Sequence, residues 1–356
     1  MRIAHVNAFH YPFMGGIEHR IHNISKRLAK EHEVFVITSR LPDTKAEEDI
    51  DGYHVVRQPT RFIGNYNPPI AMIHGVSETL EKIRPDVIDL HYRWSPGLTK
   101  AVLRQGCAKV YTCHNIYGEG SGAIGALSHI NDRLFSRHAR KFDRIAYVSE
   151  YLKQEFIQHG FPTEGADTVP NGVDLKPVGT EAGHLMTLSR MVGTKGLDVL
   201  IDAMQQVDGK LMMCGDGPIR PKLQKQVERL KLQDKITLPG KVSEAEKERL
   251  MSSCQAFIVP STFEAFGIVA VEAMAYGRPV IASRTGGLTE VVGEGGILVP
   301  PGDSEALAEA LKKMLADKKL RDDLGVKARE RAALYSWERA TEGMMRCYGA
   351  ACASRK

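Results

Sequence analysis

The feature that most constrains the fold is a regular alternation of strand and helix patterns along the whole chain. The predicted strands, such as 3–7 and 256–260, are continuous apolar runs rather than runs that alternate apolar and polar residues. Such strands are buried on both faces, which occurs in parallel sheets covered by helices. The sequence therefore predicts an α/β protein built on parallel sheets.

The length of the chain indicates two domains. With 356 residues, the chain exceeds the size at which a single hydrophobic core stops growing. The segment 175–183 carries proline and glycine and is interpreted as a linker. We therefore expect one domain over residues 1–174, another over 175–336, and a C-terminal helix over 337–356 that crosses back to the first domain.

Local patterns predict several further elements. A helix is expected at 70–83, another at 126–141, and a solvated acidic turn at 49–51. Ser149 is expected to cap a helix. The segment 120–125 has the G-x-G-x-x-G spacing, but it begins late after its strand, and position 140 is arginine where an acid is expected. We interpret it as a flexible loop.

Composition is that of a soluble globular protein, with 43% hydrophobic and 26% charged residues. No apolar run is long enough to span a bilayer, and the N-terminus enters a strand without a signal-peptide pattern, so a cytoplasmic protein is expected. The six cysteines have no metal-ligand spacing and are expected to be reduced. The net charge of +5 is compatible with anionic ligands without identifying one.

Three short motifs are candidates for ligand binding. Arg190 and Lys195 lie five residues apart in a glycine-bearing loop before a helix, where they could hold a diphosphate or be ordinary exposed cations. Gly15 and Gly16 precede a helix and are equally compatible with anion binding and with a tight turn. His114 ends an apolar strand, where a ligand-binding histidine and a core histidine are equally expected.

The stretch 260–290 carries two carboxylates, Glu264 and Glu272. A helix that begins near Gly267 places Glu272 about a turn and a half from its start. Gly277 ends that helix, and the pair Gly286 and Gly287 opens a later loop. The two acids and the free backbone N–H groups of the helix start are expected at one edge of the sheet.

These motifs together resemble the retaining glycosyltransferases of family GT4, which have the GT-B fold. The segment 264–282 matches the family's paired-glutamate motif, and Arg190 with Lys195 and Gly196 matches its basic phosphate motif. The segment 169–174 matches its interdomain Pro-Asn-Gly-Val-Asp motif. The resemblance implies two Rossmann-like α/β domains with parallel sheets that face each other across an interdomain cleft.

The resemblance also implies roles for individual residues. Arg190 and Lys195 would hold the donor diphosphate, Glu272 the ribose, and Glu264 the donor sugar. His114 would approach the transferred sugar, and Gly16 would offer backbone N–H groups near the diphosphate. The catalytic residues implied are Glu264, His114, Arg190 and Lys195. The donor-binding residues implied are Gly16, Arg190, Lys195, Val242, Glu264, Phe266, Gly267, Ile268 and Glu272.

The implied reaction transfers a hexose or N-acetylhexosamine from a nucleotide diphosphate sugar, with retention and without a metal or other cofactor. GDP-mannose is slightly favoured over UDP-sugars. Glu244 could accept hydrogen bonds from guanine or could equally belong to the cap of the next helix, so this residue leaves the donor open. A nucleotide-sugar epimerase or hydrolase and a non-catalytic nucleotide-sugar-binding subunit are the alternatives. No nucleic-acid partner is expected.

The favoured acceptor is a lipid-linked or head-group alcohol met at the cytoplasmic face of a membrane. The segment 131–141 carries Arg133, Arg137, Arg140 and Lys141, which could contact anionic lipid. Its apolar residues, Leu134 and Phe135, are expected away from this polar face. A solvated helix packed on a sheet is the commoner outcome of such a pattern.

Overall fold

The computed structural model describes residues 1–63, 70–120 and 122–355, with the backbone alone at 122–124. The chain divides into two compact units. Unit 1 comprises Met1–Asn171 and Trp337–Lys356, and unit 2 comprises Gly172–Ser336. The sequence had placed the boundary between them after Asp174, whereas unit 2 begins at Gly172.

Among the described residues, unit 1 contains an eight-stranded sheet and a separate two-stranded sheet. The sheet order is β10-β9-β8-β7-β1-β2-β4-β3, and every neighbouring pair is parallel except β3 with β4. The smaller sheet pairs β5 with β6 in antiparallel orientation. The strands are β1 (Arg2–Val6), β2 (Glu33–Ser39), β3 (Glu47–Ile50), β4 (Tyr53–Gln58), β5 (Thr60–Ile63), β6 (Ile70–Ile73), β7 (Val87–Leu90), β8 (Ala108–Cys113), β9 (Arg144–Tyr147) and β10 (Ala166–Thr168).

Helices connect the parallel strands of unit 1. In α1, Ile21, Ile24 and Leu28 recur at the spacing of one helical face and are buried against the sheet. Ser149 caps α5 as predicted, because its Oγ accepts a hydrogen bond from the N–H of Leu152 at 3.1 Å. The helices are α1 (Gly16–Leu28), α2 (Val76–Ile83), α3 (Pro96–Leu103), α4 (Gly122–Ala139) and α5 (Glu150–Gln158).

Unit 2 is a parallel sheet in the order β13-β12-β11-β14-β15-β16. Its apolar strand residues and the inward faces of its helices form one buried cluster. The elements are β11 (His184–Leu188), α6 (Leu197–Met204), β12 (Lys210–Cys214), α7 (Arg220–Arg229), β13 (Ile236–Gly240), α8 (Glu244–Ser253), β14 (Ala256–Val259), α9 (Ile268–Ala275), β15 (Val280–Ser283), α10 (Gly286–Val292), β16 (Gly296–Val299), α11 (Ser304–Ala316) and α12 (Lys318–Ala332).

The last helix, α13 (Trp337–Ala353), belongs to unit 1. Its residues Trp337, Met344 and Tyr348 are buried in the same apolar cluster as Ile3 of β1. The Tyr348 hydroxyl donates a hydrogen bond to Asp89 at 2.7 Å. This helix therefore completes the core of the unit in which the chain begins.

Three local predictions were wrong. The apolar run Ile70–Ile73 forms a strand rather than the start of a helix, because it pairs with Thr60–Ile63. The expected acidic turn is largely the edge strand β3, whose Asp49 pairs with His54 of β4. The 120–125 segment is not only a loop, since α4 begins at Gly122; Ser121 lies outside the described residues. Within the described part of the chain, no helix is long and apolar enough to cross a bilayer.

Candidate active site

The carboxyl ends of β11 and β14 lie side by side in unit 2. Strand β11 has β12 on one side and β14 on the other. The chain continues from β11 to β12 and β13 and then crosses to β14, so the strand order reverses beside β11. Ligands of open α/β sheets bind beyond the strand ends at such a point. Arg190 and Lys195 follow β11, and Glu264 follows β14, so the predicted cations and the first predicted carboxylate lie at this point.

Lys195 and Glu264 form an ion pair at this edge. The distance from Lys195 Nζ to Glu264 Oε2 is 2.6 Å, and the side chains are 23% and 16% exposed. Ser261 Oγ donates to the same carboxylate oxygen at 3.3 Å. Because the pair remains accessible to solvent, a ligand anion can approach the ammonium group while a ligand hydroxyl donates to the carboxylate.

The two loops that carry this pair are fastened to each other. Gly196 has a φ of 60°, and a Cβ at this position would lie 2.0 Å from the carbonyl oxygen of Pro260. The backbone N–H of Thr262 donates to the carbonyl of Thr194 at 2.9 Å, and its hydroxyl donates to the same oxygen at 3.2 Å. Only glycine permits this approach without strain, so Lys195 is held beside Glu264 by backbone contacts.

The predicted Gly-Gly element supports the Glu264 loop from another side. The N–H of Gly287 donates to the carbonyl of Glu264 at 3.0 Å, and a Cβ at position 287 would lie 2.4 Å from the carbonyl oxygen of Ala265. The hydroxyl of Thr285 donates to the carbonyl of Thr262 at 3.0 Å. The element therefore positions the carboxylate loop through main-chain contacts.

Helix α9 begins directly after this loop. Gly267 precedes its first residue with a φ of 94°, and a Cβ there would lie 3.6 Å from Glu264 Cγ. Phe266 is buried, and its ring packs edge-on against Tyr335 with centroids 5.5 Å apart. Ile268 is half-buried. A ligand at this helix start would therefore meet Phe266 through its backbone rather than its ring.

The remaining predicted donor-binding residues of unit 2 lie at the same edge. Arg190 is exposed and lies two residues after the end of β11. Val242 is half-buried after β13, and β12 separates that strand from β11. The structure therefore brings Lys195, Glu264 and Gly267 together and places Val242 farther along the sheet.

Glu272 belongs to a second cluster, which includes a lysine that the sequence reading did not single out. Lys247 Nζ lies 2.6 Å from Glu244 Oε1 and 3.6 Å from Glu272 Oε2. Burial raises the pKa of Glu272, and the Lys247 ammonium opposes that rise. Ser243 Oγ accepts from the N–H of Glu246 at 3.2 Å and caps α8. The carboxylate of Glu244 therefore pairs with Lys247, while the cap contact is made by Ser243.

In unit 1, the predicted glycine loop already contains a carboxyl group. Gly15 and Gly16 begin α1, and a Cβ on Gly15 would lie 2.5 Å from Glu18 Oε2. Asn7 Nδ2 donates to the other carboxyl oxygen at 3.1 Å. Burial raises the pKa of Glu18 to about 7, although hydrogen bonds from Asn7 and from the Gly15 backbone act in the opposite direction. This buried carboxyl group fixes the loop before α1.

His114 lies directly after β8 and is half-buried. Its Nε2 lies 2.9 Å from His91 Nδ1. Burial, followed by the positive charges of Arg20 and Arg93, holds the pKa of His114 well below its ordinary value. His114 is therefore a neutral imidazole at the carboxyl edge of the unit 1 sheet, within a polar network rather than an apolar core.

Three residues of these networks were missed by sequence reasoning. Lys247 has the i,i+3 spacing from Glu244 that is common on solvated helices. Glu18 closely follows the pair Gly15 and Gly16, and a glycine pair before a helix predicts a role for backbone N–H groups only. His91 directly follows β7, the strand that pairs with β8. The shared edge of adjacent parallel strands was the signal that could have connected it with His114.

Family models match both halves of the chain. The model described as Glycosyltransferase Family 4 matches residues 14–177, and the model described as Glycosyl transferases group 1 matches residues 179–331. The chain is also 30% identical to an uncharacterized glycosyltransferase of Methanocaldococcus jannaschii, with 96% of each protein covered. The protein belongs to the group 1 glycosyltransferases of family GT4.

A further relative and a solved structure add detail. The chain is 27% identical to the GDP-mannose-dependent alpha-(1-6)-phosphatidylinositol dimannoside mannosyltransferase of Mycobacterium tuberculosis, over all of this chain and 98% of that protein. The Anabaena protein HepE, solved in complex with UDP and glucose, matches with a TM-score of 0.81 and 22% identity, covering 97% of this chain and 98% of HepE. The fold is GT-B, as the sequence predicted.

Proposed function

We propose that the protein is a retaining glycosyltransferase that moves a hexose or N-acetylhexosamine from a nucleotide diphosphate sugar to a hydroxyl acceptor. The observation that carries the proposal is the Lys195–Glu264 pair, with 2.6 Å between Nζ and Oε2, next to the start of α9. A cation, a carboxylate and a helix N-terminus match the diphosphate and the hydroxyls of a sugar nucleotide.

Each group has a distinct part in this proposal. Arg190 and Lys195 bind the diphosphate and stabilise the charge that develops on the leaving group. Glu264 accepts hydrogen bonds from the donor sugar, and Glu272 accepts them from the ribose. Gly16 offers backbone N–H groups near the diphosphate, and His114 contacts the transferred sugar. Val242 contacts the base, while Phe266, Gly267 and Ile268 line the donor site at the start of α9.

The reaction breaks the bond between the anomeric carbon and the β-phosphate oxygen. The acceptor oxygen forms the new bond on the same face of the sugar, and its proton passes to the departing phosphate. The nucleoside diphosphate leaves with the electron pair of the broken bond. Since Arg190 and Lys195 supply the positive charge that the leaving group requires, we propose that the transfer needs no metal.

The favoured donor is GDP-mannose. Support comes from the mycobacterial relative, which carries a GDP-mannose-dependent name, while the complex of HepE with UDP keeps uridine donors as the competing choice. The name of the same relative, a phosphatidylinositol dimannoside mannosyltransferase, supports a lipid-linked alcohol as the acceptor.

The donor proposal predicts selective thermal stabilisation. GDP-mannose at about 100 times its Kd should stabilise the folded protein by about 2.7 kcal/mol, because it binds the folded state alone. Differential scanning calorimetry with GDP, UDP, GDP-mannose and UDP-glucose measures this effect. Larger stabilisation by the uridine ligands would assign a uridine donor instead. An absence of stabilisation by every nucleotide sugar would contradict the proposed donor site.

Donor turnover without acceptor separates transfer from its alternatives. Pure protein incubated with the donor alone should leave the sugar nucleotide intact when followed by NMR. Rapid epimerisation or hydrolysis would identify a different enzyme that uses the same site. Transfer at the wild-type rate by Glu264→Gln would contradict the role given to that carboxylate.

We also propose that α4 contacts a membrane surface where the acceptor resides. The face of α4 that packs in unit 1 carries Ser128, Asp132 and Phe135. Its outward apolar residues are Leu127, Ile130 and Leu134, which are 65%, 58% and 52% exposed. The sequence reading had separated Leu134 from the basic face, whereas it is exposed. The exposed cations on or just after the helix are Arg133, Arg137, Arg140 and Lys141.

An exposed apolar stripe flanked by cations is the pattern of a helix that lies in the interface of an anionic membrane. The triple variant Leu127→Ser, Ile130→Ser, Leu134→Ser should weaken partition onto vesicles containing phosphatidylglycerol by about 10- to 100-fold. Co-sedimentation measures the partition. The matched control is Val326→Ser, an exposed apolar position of unit 2, which should bind like wild type.

Charge variants test the electrostatic part separately. Neutralising Arg133, Arg137, Arg140 and Lys141 should lower binding to anionic vesicles, and added salt should lower wild-type binding in the same way. Unchanged co-sedimentation of both the serine and the charge variants would remove α4 from the proposal.

A further inference from the structure

Three histidines form a continuous chain of hydrogen bonds at the carboxyl edge of the unit 1 sheet. They lie in β1, directly after β7 and directly after β8, which are neighbouring strands. His5 Nδ1 lies 2.9 Å from His91 Nε2, and His91 Nδ1 lies 2.9 Å from His114 Nε2. The chain ends at His114, the residue of unit 1 that we place against the transferred sugar.

Burial keeps all three rings neutral. It lowers the pKa of His5 to about 3, with a smaller effect from the Arg20 guanidinium. The pKa values of His91 and His114 are also held well below the ordinary value by burial and by neighbouring positive charge. A neutral imidazole has one N–H donor and one bare nitrogen that accepts.

One hydrogen per ring couples the three tautomers. If His5 donates from Nδ1, then His91 accepts at Nε2 and must carry its own hydrogen on Nδ1. His91 then donates to Nε2 of His114, and the hydrogen of His114 must be on Nδ1. If His91 instead donates from Nε2 to His5, the hydrogens of His91 and His114 must both be on Nε2. The remaining nitrogen of His114 is thus a donor or an acceptor according to the state of His5, two hydrogen bonds away.

The environment of His5 selects one of these two arrangements. Its Nε2 is buried and has no hydrogen-bond partner among the described residues. A hydrogen on Nε2 would be a buried donor without an acceptor. A hydrogen on Nδ1 is instead donated to His91, and Nδ1 itself lies 3.7 Å from Asp89 Oδ2.

We infer that His5 and His91 are positioning residues that fix the hydrogen of His114 on Nδ1, so that His114 presents an N–H donor to its ligand. A donor at this atom suits an oxygen of a sugar hydroxyl. This consequence rests on the transferase function proposed above, whereas the tautomer itself does not.

Asp89 lies beside His5 and His91 and is itself fixed by two hydrogen bonds. Its Oδ1 accepts from the Thr112 hydroxyl and its Oδ2 from the Tyr348 hydroxyl, each at 2.7 Å. Asp89 Oδ2 also lies 3.4 Å from His91 Nε2. The same three groups, His5, Asp89 and His91, are close enough together to ligate a metal ion. A bound metal would replace the hydrogen shared by the two rings, so metal content is part of the test.

The test is the tautomer of His114 in the full-length protein, read from two-bond ¹H–¹⁵N correlation spectra of ¹⁵N-histidine-labelled samples. The wild type should show hydrogen on Nδ1 and a bare Nε2. His91→Phe should abolish this preference and lower kcat by roughly 10- to 100-fold, the range for partners that orient a functional group. His91→Gln, which both accepts and donates, should recover most of the activity. His54→Gln, an exposed site on β4, is the control.

Several outcomes would overturn the inference. They are hydrogen on Nε2 of His114 in the wild type, an unchanged tautomer in folded His91→Phe, and stoichiometric metal in the purified protein. If thermal unfolding shows that His91→Phe is misfolded, His5→Phe tests the same tautomer of His114, because it removes the first of the three hydrogen-bonded histidines. The expected tautomer without any transferase activity would contradict the proposed function and leave this inference standing.

Discussion

Lys195→Ala is expected to lower kcat for sugar transfer by about 100- to 1,000-fold, the range for removing one group that stabilises developing negative charge. The lysine is held beside Glu264 by the contact between Gly196 and Pro260, so the alanine variant removes a positive charge from a fixed position. Initial-rate kinetics with saturating donor measure the effect.

The stability of Lys195→Ala should change little. The ion pair that it loses is partly exposed, and pairs of this kind contribute about 1 kcal/mol or less. Lys225→Ala, an exposed lysine of α7 in the same unit, is the matched control and should retain wild-type kcat. A Lys195→Ala enzyme that is as active as this control would show that Lys195 does not act on the leaving group.

Asp132→Ala is expected to lower the free energy of unfolding of unit 1 by about 3–5 kcal/mol, because it leaves a buried guanidinium unpaired. Arg93 Nε and Nη2 donate to the two oxygens of Asp132 at 2.6 and 3.0 Å. Their side chains are 1% and 0% exposed. Asp132 also accepts the backbone N–H of Gly118 at 2.8 Å, so its loss frees a loop as well as a charge.

Urea denaturation followed by tryptophan fluorescence isolates this effect. The two tryptophans of the chain, Trp94 and Trp337, both belong to unit 1, so their emission reports the unfolding of that unit. Glu33→Ala removes an exposed pair with Arg2 in the same unit and should cost about 0.5 kcal/mol or less. The double variant Arg93→Met, Asp132→Leu should recover much of the loss. Equal stability of Asp132→Ala and wild type would contradict the argument.

The pattern of apolar residues was sufficient to predict the parallel sheets, because a strand buried on both faces is a continuous apolar run wherever it lies in the chain. It failed at Ile70–Ile73, where four apolar residues fit a helix as well as a strand, and pairing with Thr60–Ile63 decided between them. It also failed to give the orientation of α4. The ion pair with Arg93, which is 39 residues away in sequence, holds Asp132 on the buried face of α4, and Leu134 is then exposed. Such long-range pairing leaves no local pattern.

The candidate site shows the same limit: contacts between distant residues could not be predicted from local patterns. The closeness of Lys195 and Glu264, which are 69 residues apart, follows from the adjacency of β11 and β14 and was available from the sequence only through the family resemblance. Lys247 and His91 were missed because their partners, Glu272 and His5, lie on other elements. Their roles depend on strand order and register, neither of which residue type or spacing determines.

The placement of α13 also sets an order of events during synthesis. Asp89 receives its hydrogen bond from Tyr348, a residue 259 positions later, and all of unit 2 is made between them. A ribosome therefore completes the chain of unit 2 before the last core helix of unit 1 exists. Since domains fold largely as units while the chain emerges, we expect unit 2 to reach its final structure first. The chain of histidines would then be assembled only after unit 2 has been synthesised.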